Sequence, residues 1–215
     1  MDPSTSRLFC LTGDVQTGKT RWLLRLLDEL AASGVTGLGV VSPGIWRKND
    51  VDGERKGAAP FEKLGIEAVL LPQNERLPFA TRRDLLDEED AEAPTAEADR
   101  ARLRWAIRDD SIRAVNRHFD ALMQDPMDGL LVVDELGRLE LEQGGGFTQA
   151  LRLLEAGPTA HWPCALVVVR DRLARTAASR LAPAWGEAVP LAPDAQGRRL
   201  IRGSLGLPEH SRGEI

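Results

Sequence analysis

The chain has 215 residues, 42% of them hydrophobic and 28% charged, with a formal net charge of −5. That is enough apolar material for one sizeable domain, and the acidic balance gives no strong nucleic-acid or anionic-lipid signal. No basic region leads into a long apolar run at the start, and no apolar stretch approaches the roughly 18 residues of a membrane span, so the expectation is a cytoplasmic enzyme without membrane insertion. The two cysteines, Cys10 and Cys164, each lie inside a strand-like apolar run, and buried reduced thiols are expected.

In chain order, Leu8-Phe9-Cys10-Leu11 predicts a buried strand. Gly13-Asp14-Val15-Gln16-Thr17-Gly18-Lys19-Thr20 follows and fits Gly-x-x-x-x-Gly-Lys-Ser/Thr, the phosphate-binding (Walker A) loop. Its glycines let successive N–H groups turn inward onto a phosphate. Lys19 reaches the β- and γ-phosphates, and the Thr20 hydroxyl ligates Mg²⁺. Arg21 to Ala32 predicts a helix with a broad leucine face, closed by Gly34. Its N-terminal dipole favours the same anion.

Leu38 to Val41 is a second strand. Residues 44–47 and 54–61 flank an Asn/Asp/Gly-rich stretch, Lys48 to Gly53, and predict a β-hairpin. Glu67 to Leu71 is a further strand. From Thr81 to Asp110 the chain turns acidic and proline-broken, a solvated insertion, with residues 96–107 a possible helix. Ser111 to Met123 is a clearer helix. Gly129 to Val133 is a fully apolar run ending in Asp134-Glu135, the pattern of a central parallel strand. Phe147 to Glu155 is helical, Ala165 to Val169 a buried strand ending at Arg170, and Asp171 to Leu181 a helix. Glu187 to Leu191 and Arg198 to Arg202 are expected edge strands. The expected organisation is one domain over residues 1–206, with the insertion at about 81–110 and a tail at 207–215.

Strands and helices alternate throughout, which predicts an α/β fold with a mostly parallel central sheet and helices on both faces. Ligands then bind beyond the carboxyl ends of the strands. A phosphate loop needs a carboxylate at the end of a neighbouring apolar strand to organise Mg²⁺, and Asp134 meets that need. Glu135, one residue later, is the expected water-activating group. For the γ-phosphate the candidate cations are Arg170 at a strand end, Arg138 close behind the acidic pair, and Arg55 on the hairpin.

These motifs resemble a family. Gly13 to Thr20, Gly53-Glu54-Arg55-Lys56-Gly57, and Val132 to Leu141 occur in an order similar to that of the small nucleoside triphosphatases with a RecA-like sheet, found in archaea, bacteria and animals. Glu142 to Phe147 and Leu166 to Arg170 are similar too, so the likeness spans most of residues 7–181. The phosphate loop is shared by a vast superfamily, whereas the Asp-Glu-Leu-Gly-x-Leu-Glu-Leu run is far more particular. The resemblance implies a P-loop fold of the additional-strand type and Mg²⁺-dependent hydrolysis of ATP, GTP and other nucleoside triphosphates. Carried over residue by residue, it gives Lys19 and Thr20 the phosphate and metal positions, Asp134 the second metal position and Glu135 the catalytic one. Val41-Ser42-Pro43-Gly44 departs from the family's usual aromatic and Thr-Glu-like pair, and the acidic segment is longer.

Glu140 is expected either to brace the site against an arginine or to be a surface charge. The histidines lack ligand spacing. Trp22 is expected in the core, and packing is also the expectation for Trp46 and Trp105, with base stacking the lesser alternative. Two other functions stay open: a kinase for a nucleoside, nucleotide or nucleic-acid end, and a nucleotide-dependent switch serving a protein partner that the sequence does not name.

Overall fold

The computed structural model describes residues 7–13, 17–48, 60–86 and 105–208. In chain order these form β1 (Arg7–Leu11), α1 (Lys19–Ala31), β2 (Gly37–Val41), β3 (Gly44–Lys48), β4 (Phe61–Leu71), β5 (Glu75–Arg82) and β6 (Trp105–Ile107). Then come α2 (Asp109–Gln124), β7 (Leu130–Leu136), α3 (Thr148–Ala156), β8 (Cys164–Val169), α4 (Asp171–Trp185), β9 (Val189–Leu191) and α5 (Ala195–Ser204).

The strands make one sheet in the order β6-β5-β4-β2-β7-β8-β1-β9, with β3 paired to β4. From β2 to β9 every pairing is parallel. β8 lies between β1 and β7, which is the additional strand the motif order implied. Beyond β2 the pairings turn antiparallel.

The parallel strands are buried on both faces, so side-chain alternation divides two cores. Leu8, Cys10, Leu131, Val133, Ala165 and Val167 point to one core, where Val115 and Phe119 of α2, Leu151 of α3 and Leu173 and Ala177 of α4 cover them. Phe9, Leu11, Leu130, Val132, Leu166 and Val168 point the other way, under Trp22, Leu23, Leu26 and Leu30 of α1 and Ile201 of α5. Cys10 and Cys164 are free thiols on opposite faces, and burial pushes the Cys10 thiol up to about 11.

Several expectations change. Arg198 to Arg202 is helix, not an edge strand. Asp194 caps it by accepting from the Gly197 N–H at 2.8 Å, and Gly197 and Ile201, one helical turn apart, face inward. Trp105–Ile107 is a strand rather than the end of a helix, pairing with Ala80 to Arg82, while residues 96–104 lie outside the described set. Glu67 to Leu71 is the end of the longer strand β4, and β5 was not foreseen because Pro78 interrupts its apolar alternation. β3 does pair antiparallel with a returning strand, but that strand is β4 over residues 61–66 and not the expected arm of 54–61, with Gly44 opposite Ile66 and Lys48 opposite Phe61. The expected turn at 49–53, and the arm over 54–59, fall outside the described residues, as do residues 87–104 of the acidic segment and the tail from 209. The flanks of that segment are ordered: Thr81 and Arg82 close β5, and Asp109 opens α2.

Candidate active site

The parallel topology brings three strand ends side by side. β1 feeds the glycine loop, β7 ends in the acidic pair, and β8, between them, ends at Arg170. Of the loop, Gly13, Thr17, Gly18, Lys19 and Thr20 are described, and Asp14, Val15 and Gln16 are not. Gly13 has φ +136° and Gly18 φ +85°, backbone shapes that favour glycine at both ends of the loop. Lys19 is the first residue of α1 and is nearly buried, and its ammonium donates to the Gly13 carbonyl at 2.6 Å.

Thr20 and Asp134, 114 positions apart in the chain, meet: the Thr20 side chain is hydrogen-bonded to the Asp134 carboxylate. Asp134 is 2% exposed, and its Oδ2 also accepts from the Ser42 N–H at 3.2 Å. Burial pushes the Asp134 carboxyl up to about 6, against the opposing hydrogen bonds from Ser42 and Thr20. The Ser42 hydroxyl donates to the Asp134 carbonyl.

Glu135 behaves differently from its neighbour. Asp134 pairs with Val168 and Leu136 with Val169, so the extra residue drops out of register and is redirected. The Glu135 side chain is 31% exposed, and its Oε1 accepts from Arg170 Nε at 2.7 Å. Arg170 therefore lies against the acidic pair. Arg138 is not drawn into this cluster by any contact among the described residues. It pairs with Glu142 at 2.9 Å, one turn along its own helical segment. Arg55 lies outside the described residues.

Glu140 is neither a surface charge nor an arginine's side-chain partner. It is 5% exposed and accepts from the Gly137 N–H at 2.8 Å and the Phe147 N–H at 3.0 Å. It thus ties together the ends of the loop that follows β7. Gly146 makes room for it, since a Cβ there would sit 2.0 Å from Glu140 Oε1. Arg180 reaches the Glu140 and Leu141 carbonyls instead.

Three site residues escaped the sequence reading. Ser42 follows β2 and holds Asp134. Asp171 opens α4, and its Oδ1 accepts from the Gly13 N–H at 2.6 Å, anchoring the phosphate loop to the end of β8. Both sit at strand ends, and the strand-end rule that selected Arg170 could have selected them. Lys63, on β4, feels the charges of Glu135, Asp134 and Arg170. Among the described residues no group of three or more His, Cys, Asp or Glu side chains is arranged to hold a metal. No helix among them is long and apolar enough to cross a membrane.

No family model and no curated protein sequence matches the chain. Two solved structures do resemble it. The solution structure of a human cancer-related nucleoside triphosphatase aligns with a TM-score of 0.56 at 18% identity, covering 96% of this chain and 100% of that one. The crystal structure of THEP1 from the hyperthermophile Aquifex aeolicus aligns with a TM-score of 0.51 at 13% identity, covering 92% of this chain and 96% of that one. At such identities the likeness is one of architecture: this chain shares with these two structures an α/β fold, a mostly parallel central sheet flanked by helices.

Proposed function

We propose that this chain hydrolyses nucleoside triphosphates to diphosphate and phosphate, with Mg²⁺. The observation that carries the reading is the meeting of Thr20 with Asp134, which brings the glycine loop and the acidic strand end to one place. The nucleoside triphosphatase named among the structural neighbours supports the same class of reaction.

The residues fit the metal. Thr20 offers a hydroxyl and Asp134 a carboxylate, both hard oxygen donors. Mg²⁺ in such enzymes is shared between one or two protein oxygens and the phosphates, so a dedicated protein cage is not required. When bound it neutralises charge on the β- and γ-oxygens.

In this reading the loop N–H groups and Lys19 hold the phosphates, with Lys19 exchanging the Gly13 carbonyl for phosphate oxygen. Glu135 leaves Arg170 to accept a proton from the attacking water. The water oxygen bonds to the γ-phosphorus as the bond to the β,γ-bridging oxygen breaks. Arg170, released from Glu135, turns to the γ-oxygens, where charge spreads in the transition state. Arg55 and Arg138 are further nucleotide-binding candidates, Arg138 only by leaving Glu142.

Phosphate release from ATP, GTP, CTP and UTP, with Mg²⁺ or with EDTA, tests the reading. Release that requires Mg²⁺ is expected. Label appearing only on an added nucleoside acceptor would replace hydrolysis by a kinase reaction.

A further inference from the structure

β4 is longer than the strand it pairs with in the parallel half. Only Val69 to Leu71 lie against β2, so residues 61–66 continue past the carboxyl edge of the sheet, where the site lies. β3 pairs along this overhang, β5 pairs with its Gly65 and Ile66, and β6 pairs in turn with the end of β5, so that the four strands make a wall. Lys63 belongs to the overhang.

The Lys63 ammonium lies 6.0 Å from the Trp46 ring centre and 5.3 Å from that of Trp105, so two indoles from two different strands hold it. Its stem has a reserved place. A Cβ on Gly44 would come within 2.6 Å of Lys63 Cε and 2.7 Å of Trp46 Nε1. Among the described residues Lys63 has no ion pair, unlike Arg170 with Glu135 and Arg138 with Glu142. Burial lowers its pKa from the ordinary lysine value, and the charges of Glu135 and Asp134 pull it back up. A partly buried ammonium without a counter-ion costs free energy that an incoming anion recovers.

We propose that Lys63 is the cation of the β3–β6 wall that binds the γ-phosphate end of the nucleotide, and that Trp46 and Trp105 hold it in place for this. The inference rests on the triphosphatase reading and adds a group to it from outside the P-loop machinery. Arg170 approaches the acidic pair from β8, whereas Lys63 approaches from the opposite side of β7 in the strand order. The two cations thus flank the position where charge develops on the γ-oxygens. A γ-phosphate contact also makes the wall selective for triphosphates over diphosphates.

The test compares the parent with Lys63→Met, Lys63→Arg and Gly44→Ala. It measures binding of ADP and of an imido-bridged ATP analogue, phosphate release from ATP, and thermal melting. Lys63→Met should bind ADP as the parent does, lose about tenfold or more in affinity for the triphosphate analogue, and lose roughly 10²-fold in kcat. Lys63→Arg should restore most of both. Gly44→Ala leaves the lysine chemically intact but crowds its stem, and should shift the same two quantities by a smaller factor. If Lys63→Met does not fold, the arginine and Gly44→Ala variants decide. A parent-like preference for triphosphate and parent-like turnover in Lys63→Met, or in Gly44→Ala where that variant must decide, overturns the inference and leaves the triphosphatase reading standing. A parent that neither binds the analogue nor releases phosphate overturns the triphosphatase reading itself, and the Lys63 inference with it.

Discussion

The parallel half of the sheet, β2 to β9, and the antiparallel wall, β3 to β6, are one hydrogen-bonded sheet held by different means. In β7 and β8 every residue but Glu135 is buried, whereas four of the five residues of β3 are exposed. The parallel strands gain stability from apolar burial on both faces. The wall relies more on pairing and on charges nearer the solvent, such as Arg47 with Glu62 at 2.9 Å and Arg82 with Glu62 at 2.6 Å. The difference separates tasks. The rigid half fixes the loop, Asp134 and Glu135 relative to one another, and the wall presents side chains across from them.

Substitutions break this contrast to different degrees. The largest effect is expected in the parallel half, at Gly39. It has φ +112°, and a Cβ there would stand 2.2 Å from the Val132 carbonyl and 3.3 Å from the Phe119 ring. β2 cannot keep its pairing to β7 with a side chain at that point. Gly39→Ala should cost about 3 kcal/mol or more, seen as a drop in melting temperature of about 10 °C or failure to fold.

A smaller effect, of opposite sign, is expected at Asp134. Its carboxyl titrates near 6 in the folded chain against an ordinary value of about 4 unfolded. Between these pH values the folded state binds more protons, so the contribution of Asp134 is most favourable below pH about 4 and is lost as the pH rises through about 6. Asp134→Asn cannot ionise. Without divalent cations it should therefore be more stable than the parent at pH 8, by on the order of 2–3 kcal/mol, with no gain at pH 4. Melting curves at the two pH values check this. The smallest effect belongs to the wall's outer surface: Phe61 is 54% exposed, and Phe61→Ser should change stability by only about 0.5 kcal/mol.

The same contrast explains what could be read beforehand. Leu38 to Val41, Val132 to Glu135 and Leu166 to Arg170 announce themselves because strands buried on both faces must be continuous apolar runs. A glycine loop leaving one of them and a carboxylate ending another then mark the site. The wall carries no such signal. Glu75 to Arg82 mixes charge, proline and apolar residues because one side meets solvent, and its partners are set by tertiary pairing rather than local pattern. Arg198 to Arg202 reads locally as a strand because the cap of its helix, Asp194, lies ahead of that segment. Glu140 looked like an alternating surface charge, and only the closure of the loop onto Phe147 shows why a carboxylate is buried there. Lys63 had no local mark at all. Its setting depends on Trp46 and Trp105, which come from strands far apart in the chain.

In this reading Glu135 acts on water while the loop holds the triphosphate, and single-turnover measurements on Glu135→Gln with ATP and Mg²⁺ test that division of roles. Parent-like ATP affinity is expected, with phosphate release slowed by about 10² to 10⁴, and, as the control on the loop, loss of nucleotide binding in Lys19→Ala. Phosphate release by Glu135→Gln at the parent's rate would contradict that division of roles.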